Sequence, residues 1–225
     1  MTDSKFSQYY DAMGNFFNDF DKVITNGAAK RKSQNSDFEI ATIGLWRIMS
    51  YCVFTAMSDF QDKKKFFAVA GCIRLIMECT ADALYLADHQ DEAEAYWKNQ
   101  EKIQEDLMKR KNRWNAFIEG SVNKYGELQD KTLTRIKKML GKDAMGAYNF
   151  LCFYSHPNTA SMFWLLNDVE GKTVKFVLQI MTQQLVKFIE LVENKTAFGI
   201  TARTWTERLD HAYSQLGPAK SQIVI

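Results

Sequence analysis

Apolar residues at Phe6, Tyr9, Tyr10, Met13, Phe16, Phe17, Phe20, Val23 and Ile24 recur at the i, i+3, i+4, i+7 spacing of an amphipathic helix. Asn26-Gly27 is placed to end it, since glycine readily supplies the left-handed residue that closes a helix. After a basic link containing Lys30, Arg31 and Lys32, the run Ser36-Asp37-Phe38-Glu39 has the Ser-x-x-Glu form of a capping box. A second helix is expected from there to about Ser58. Between Phe38 and Ser58 the only charges are Glu39 and Arg47, and a third apolar run, Phe66 to Leu86, carries only Arg74, Glu78 and Asp82. Helices this apolar are expected at the centre of a bundle rather than on its surface.

The rest of the chain keeps the helical period but changes character. Asp91 to Ile118 reads as a long, charged helix with Tyr96, Trp97, Ile103, Leu107, Trp114 and Phe117 for its buried side, followed by a turn at Gly120 and Gly126. A shorter helix, about Leu128 to Leu140, stops at Gly141, and the next runs from Asp143 to near His156. Pro157 should end it, because the residue before proline is pushed out of the α region. A short turn or helix around Ser161 to Leu166 leads past Gly171 to Thr173–Asn194, another central helix, and then to a last helix over about Thr201–Leu216. No run alternates in the manner of a strand. The expected fold is all-α: a single-domain bundle over residues 1–225 of seven or eight helices, two or three of them buried and central, with a flexible tail over 217–225.

Composition agrees with one core. Of 225 residues, 46% are hydrophobic and 25% charged, enough for a large interior and a solvated surface. The two prolines, Pro157 and Pro218, leave the first 156 positions free of helix breakers. The N-terminus carries acidic and polar residues where a secretory signal needs a basic start and an apolar run. Cys52, Cys72, Cys79 and Cys152 form no Cys-x-x-Cys pair, and Cys72 and Cys79 stand roughly 10 Å apart on one helix. Free thiols in a reducing, cytoplasmic setting are therefore expected. Residues 144–167 hold no acidic or basic side chain, yet Asn149, Tyr154, Ser155, His156 and Asn158 in their midst argue against a membrane span.

Candidate chemistry gathers in two places. At about 100° per residue, Arg74, Glu78, Asp82 and Tyr85 fall into one narrow stripe on an otherwise apolar helix. Buried, such a seam is either an internal ion-pair network, with Arg47 from the neighbouring helix as a further member, or a ligand or catalytic site. The second place is Asn149 to Asn158, where Tyr154, Ser155 and His156 crowd a helix end whose dipole favours a protonated imidazole.

Other chemistries lack their residues. No Glu-x-x-His is present for a di-iron site, and neither Gly-x-Ser-x-Gly nor a phosphate loop occurs. No metal or cofactor is expected. Residues 98–142 hold twelve basic and six acidic side chains, net +6 against +2 for the whole chain, so nucleic acid is a partner to weigh beside a protein or small ligand. The generous apolar content also suggests a homodimer.

The run Arg74-Leu-Ile-Met-Glu78, then Glu94-Ala-Tyr-Trp and Tyr154-Ser-His156-Pro157, resembles a group of uncharacterised prokaryotic helical proteins over roughly residues 60 to 170. More distantly the layout is similar to HEPN-type domains, many of them toxin or defence ribonucleases. That resemblance implies a metal-independent ribonuclease in phage–host conflict, with His156 as general acid or base. HEPN enzymes separate an arginine from this histidine by four to six intervening residues, and at those positions the chain has Leu151, Phe150 and Asn149. Arg74 or Arg47 would have to stabilise the phosphate instead. The leading expectation is a non-catalytic binding module with an internal polar seam; the ribonuclease is the alternative.

Overall fold

The computed structural model describes residues 3–31, 34–59, 66–98, 132–155 and 172–216. Six long helices carry the fold: α1 (Asp3–Arg31), α2 (Asp37–Asp59), α3 (Phe66–Asp88), α4 (Lys142–Ser155), α5 (Lys172–Lys195) and α6 (Ala202–Ser214). A 3-10 turn at Gln90–Glu92 and a π-helical turn at Ile136–Leu140 lie between them. The long charged helix is seen only in its first residues, to 98. Most of it, the turn near 161–166, His156, Asn158 and the 217–225 tail lie outside the described residues.

α1 shows why its period was readable: Phe6, Tyr9, Met13, Phe16, Phe17, Phe20 and Ile24 are all buried along one face. Gly27 does not end it. The helix runs one turn further, to Arg31, because Gly27 serves close packing: a Cβ there would lie 2.7 Å from the Phe198 carbonyl oxygen of the α5–α6 loop. The capping box forms as its spacing predicts, with Glu39 N donating to Ser36 Oγ at 3.2 Å and Ser36 N donating to Glu39 Oε2 at 2.8 Å. Its carboxylate does more than cap. Glu39 Oε1 also accepts from Arg31 Nη1 at 2.8 Å and Ala197 N at 2.9 Å, so one buried side chain joins the end of α1, the start of α2 and the loop before α6.

Aromatic rings fill the centre of that end. Trp46 stacks on Phe17 with ring centroids 5.2 Å apart, meets Phe20 edge-on at 4.8 Å and stacks on Phe188 of α5 at 5.8 Å. Its indole N–H donates to Asp21 Oδ1 at 2.9 Å, so the polar tip is satisfied while the ring is buried. Trp205 of α6 closes on Phe20 from the other side. Arg208 holds α6 to α1 through Asp19 at 2.9 Å, and this guanidinium keeps the Asp19 carboxyl below its usual pKa.

α3 is the central helix, packed against α2, α4, α5 and both short turns. Val69, Ala70, Ile73, Ile76, Met77, Thr80, Ala81, Ala83 and Leu86 are buried on it. α2 departs from the expectation of a wrapped helix. Its inner side reaches the core through Leu45, Trp46, Met49, Cys52, Val53 and Ala56, but Ile40, Ile48, Tyr51 and Phe54 are exposed. An apolar sequence alone could not separate burial by the chain's own helices from burial by something else. α2 is long and apolar enough to cross a membrane by length and composition, with half of that stretch buried inside the bundle. Of the uncharged 144–167 stretch, the described part belongs to α4, which packs Ala144, Ala147, Tyr148, Leu151 and Tyr154 inward.

Candidate functional site

The seam predicted on α3 exists, and its charges meet partners brought by other elements. Glu78 lies 3.4 Å from Arg74 Nε, one turn away, and its Oε1 accepts a 2.7 Å hydrogen bond from Tyr148 Oη on α4. Asp82 is held twice: Arg135, next to the π-helical turn, donates to Oδ1 at 2.8 Å, and Tyr96 donates to Oδ2 at 2.8 Å. These carboxylates are about four-fifths buried, in surroundings where an unpaired charge would be costly. Glu78 and Asp82 thus turn to different partners instead of converging on one point.

Burial raises the pKa of Tyr148, and the hydrogen bond to Glu78 adds to the rise. Tyr96 is raised in the same way by burial and then by Asp82. Both phenols stay protonated and act as donors at neutral pH, which suits clamps rather than proton acceptors. Arg74 is the least satisfied member. Its Nε is buried without a hydrogen bond, and its Nη1 reaches Ser155 Oγ only at 3.5 Å. Ser155 in turn donates to the Cys152 carbonyl at 3.0 Å.

The outer end of the seam is a stack. Tyr85 lies between His89, parallel at 4.1 Å, and the guanidinium of Arg135, 4.4 Å from the ring centroid. Its hydroxyl donates to Glu92 Oε1 at 2.8 Å, and this bond is the main reason that its pKa is raised. Arg135 therefore serves Asp82 and Tyr85 together and fixes the element that carries it against α3.

Several expected members are elsewhere. Arg47 does not join the seam; it is exposed on α2, because the buried side of that helix is taken by Trp46, Met49 and Leu45. Asn149 is exposed on α4, pointing away from the side that packs on α3, whereas Tyr154 is buried there. Ser155 does reach Arg74. Tyr148, Arg135 and Tyr96 were missed as partners. They are 70, 53 and 14 residues from their acceptors, and no local spacing marks such pairs.

Two of the four thiols are held protonated by their surroundings. Cys52 on α2 and Cys72 on α3 share a hydrogen bond that, with burial, pushes the Cys52 pKa up, and burial raises Cys79. Neither Cys52 nor Cys79 is a thiolate at neutral pH.

A cavity of about 390 Å³ lies away from the seam, between α4, α5 and α6. Ala144 and Ala147 give it a shallow apolar wall, Lys187, Glu190 and Asp210 line it, and Gln184 contributes a side chain that is only 3% exposed. Gln184 Oε1 is buried there with no hydrogen-bond partner. Nothing in the sequence singled out this glutamine, since one amide in an amphipathic helix has no periodic signature. Comparison with known proteins finds no matching family model, no matching curated protein and no matching solved structure for this all-helical chain.

Proposed function

We propose that the chain is a non-catalytic helical binding module, in which the α3 seam locks the bundle and the groove between α4, α5 and α6 takes a small ligand. The observation that carries this reading is the pairing of the seam: Glu78 and Asp82 are each held by an arginine and a tyrosine of the chain itself. Carboxylates so engaged are poorly placed to shuttle protons to a substrate. The groove supplies what the seam lacks, namely room and an unmet acceptor. A ligand that suits it has an apolar body for Ala144 and Ala147 and an N–H or O–H donor for Gln184. The terminal amide torsion of glutamine is soft enough to turn that oxygen to the ligand.

Nicotinamide and uracil carry such a donor on a flat ring, and 1,3-dimethyluracil lacks it. Titration of these three into labelled protein, followed by NMR, is expected to shift the Ala144 and Ala147 methyls and the Gln184 side-chain amide with the first two only. Gln184→Leu should abolish the shifts while the remaining spectrum keeps its dispersion. Equal response to the methylated ring, or no response at the groove, contradicts the assignment of the groove.

One observation favours a second reading, the HEPN-like ribonuclease. Arg74, with hydrogen-bonding capacity to spare, approaches Ser155, the residue before His156. An arginine from α3 would then stand in for the one missing from the helix that precedes the histidine. This reading assigns phosphate stabilisation to Arg74 and not to Arg47.

A further inference from the structure

The exposed side of α2 carries four large apolar side chains, with Gly44 and Arg47 between them. Taken at about 100° per residue, Ile40, Gly44, Arg47, Ile48, Tyr51 and Phe54 fall within one stripe about a third of the helix circumference wide, with Tyr51 near its middle. Tyr51 is 73% exposed, Ile48 49%, Phe54 46% and Ile40 40%. Gly44 leaves a notch in the stripe, where even an added Cβ would meet nothing within 4 Å. The patch continues onto α1: Tyr10, 42% exposed, shares a shallow hollow with Phe54, Gly14 and Met57.

We infer that this face of α2 is the interface of a two-fold symmetric homodimer, in which two α2 helices pack antiparallel about a point between Arg47 and Ile48. That register is the self-complementary one. It sets Tyr51 of each copy opposite Gly44 of the other, a large ring into the only gap in the stripe, and it does so twice. It also brings Ile40 of each copy next to Phe54 and the hollow beside Tyr10. A two-fold interface must use the same patch on both copies, and a patch holding both its largest knob and its own hole meets that demand. Arg47 fits the arrangement through its apolar stem, with its head at the rim near the Tyr51 ring of the second copy.

Area supports a second copy as the occupant. Applying the exposed fractions to side chains of roughly 200 Å² gives about 500 Å² of apolar surface per copy, or about 1,000 Å² for the pair before any polar rim is counted. A monomer seldom exposes a larger apolar patch than this, and about 1,000 Å² is where specific interfaces begin.

Sedimentation equilibrium of the full chain at about 100 μM tests the inference. The wild type is expected at twice 26.0 kDa. Tyr51→Glu removes the knob and should raise the dimer dissociation constant at least about tenfold, the scale of a central interface aromatic. Gly44→Gln fills the hole and should do the same. Because it replaces a glycine inside a helix, it leaves the monomer at least as well folded, so loss of the dimer cannot be blamed on unfolding. A wild type that stays at 26.0 kDa overturns the inference, whether a segment of the same chain covers the patch or it floats with phosphatidylcholine–phosphatidylglycerol vesicles. A dimer that both substitutions leave intact also overturns it, by placing the interface elsewhere.

Discussion

Replacing Asp82 by alanine removes the acceptor of two hydrogen bonds at once. Arg135 loses its ion pair at 2.8 Å, and Tyr96 loses the partner of its buried hydroxyl. The two side chains of the pair are 20% and 17% exposed, so solvent recovers only part of the loss. Breaking a fully buried pair costs about 3–5 kcal/mol, and leaving a buried neutral donor unmet costs about 1–3 kcal/mol. With the partial exposure discounted, the expected loss is about 3 kcal/mol for Asp82→Ala. It should be about 2 kcal/mol for Arg135→Ala, where Tyr96 keeps its bond. The double variant should cost clearly less than the sum, with a coupling of about 1–2 kcal/mol, because the same ion pair is counted in both single changes. Urea unfolding followed by circular dichroism at matched slopes measures all three, and thermal unfolding should show Asp82→Ala melting about 6–12 °C lower. Losses near those of exposed pairs, below about 0.5 kcal/mol, with additive single changes, would refute the idea that the seam locks α3 to its neighbours.

Three further outcomes follow from other contacts. Glu39→Ala is expected to cost about 2–3 kcal/mol in urea unfolding, against about 1 kcal/mol for Ser36→Ala, because the carboxylate serves Arg31 and the Ala197 N–H besides the cap; equal losses would reduce it to an ordinary capping residue. Gly27→Ala gains helix propensity but drives a Cβ to 2.7 Å from the Phe198 carbonyl, so a net loss of about 1–3 kcal/mol should appear as a lower melting temperature; a stabilised variant would contradict the close approach. Tyr9, Tyr96 and Tyr148 all have pKa values raised in the fold, with burial the largest cause. Their stabilising contribution is complete below the unfolded tyrosine value of about 10 and is lost as pH rises above it, since the unfolded chain then ionises first. Stability should therefore fall steeply above about pH 10, and less steeply in Tyr148→Phe; a flat profile from pH 9 to about 12 would contradict the burial of these hydroxyls.

The helices were legible because burial in a bundle imposes its period on the chain. α5 and α6 are found at Lys172–Lys195 and Ala202–Ser214, close to the expected 173–194 and 201–216, since a periodic apolar face marks both. The capping box at Ser36 and Glu39 was legible for a similar reason: its two bonds are local, three residues apart. The end of α1 was misread at Gly27, where the glycine answers to a carbonyl 171 residues away in sequence. The stripe Arg74, Glu78, Asp82 was visible on the helical wheel, but its meaning depended on Tyr148, Arg135 and Tyr96, whose positions are set by tertiary packing. Arg47 was drawn into the seam by its neighbours' apolarity. That same apolarity reports instead an outer face of α2 left uncovered by the described helices.

The central claim is that the chain binds and does not turn over its ligand. Incubation of mixed RNA substrates with purified wild type, Arg74→Ala and His156→Ala, each shown by circular dichroism to be folded, tests it most directly. The account predicts intact RNA with all three proteins. Cleavage by the wild type that disappears in both variants would contradict it and would place catalysis at Arg74 and His156.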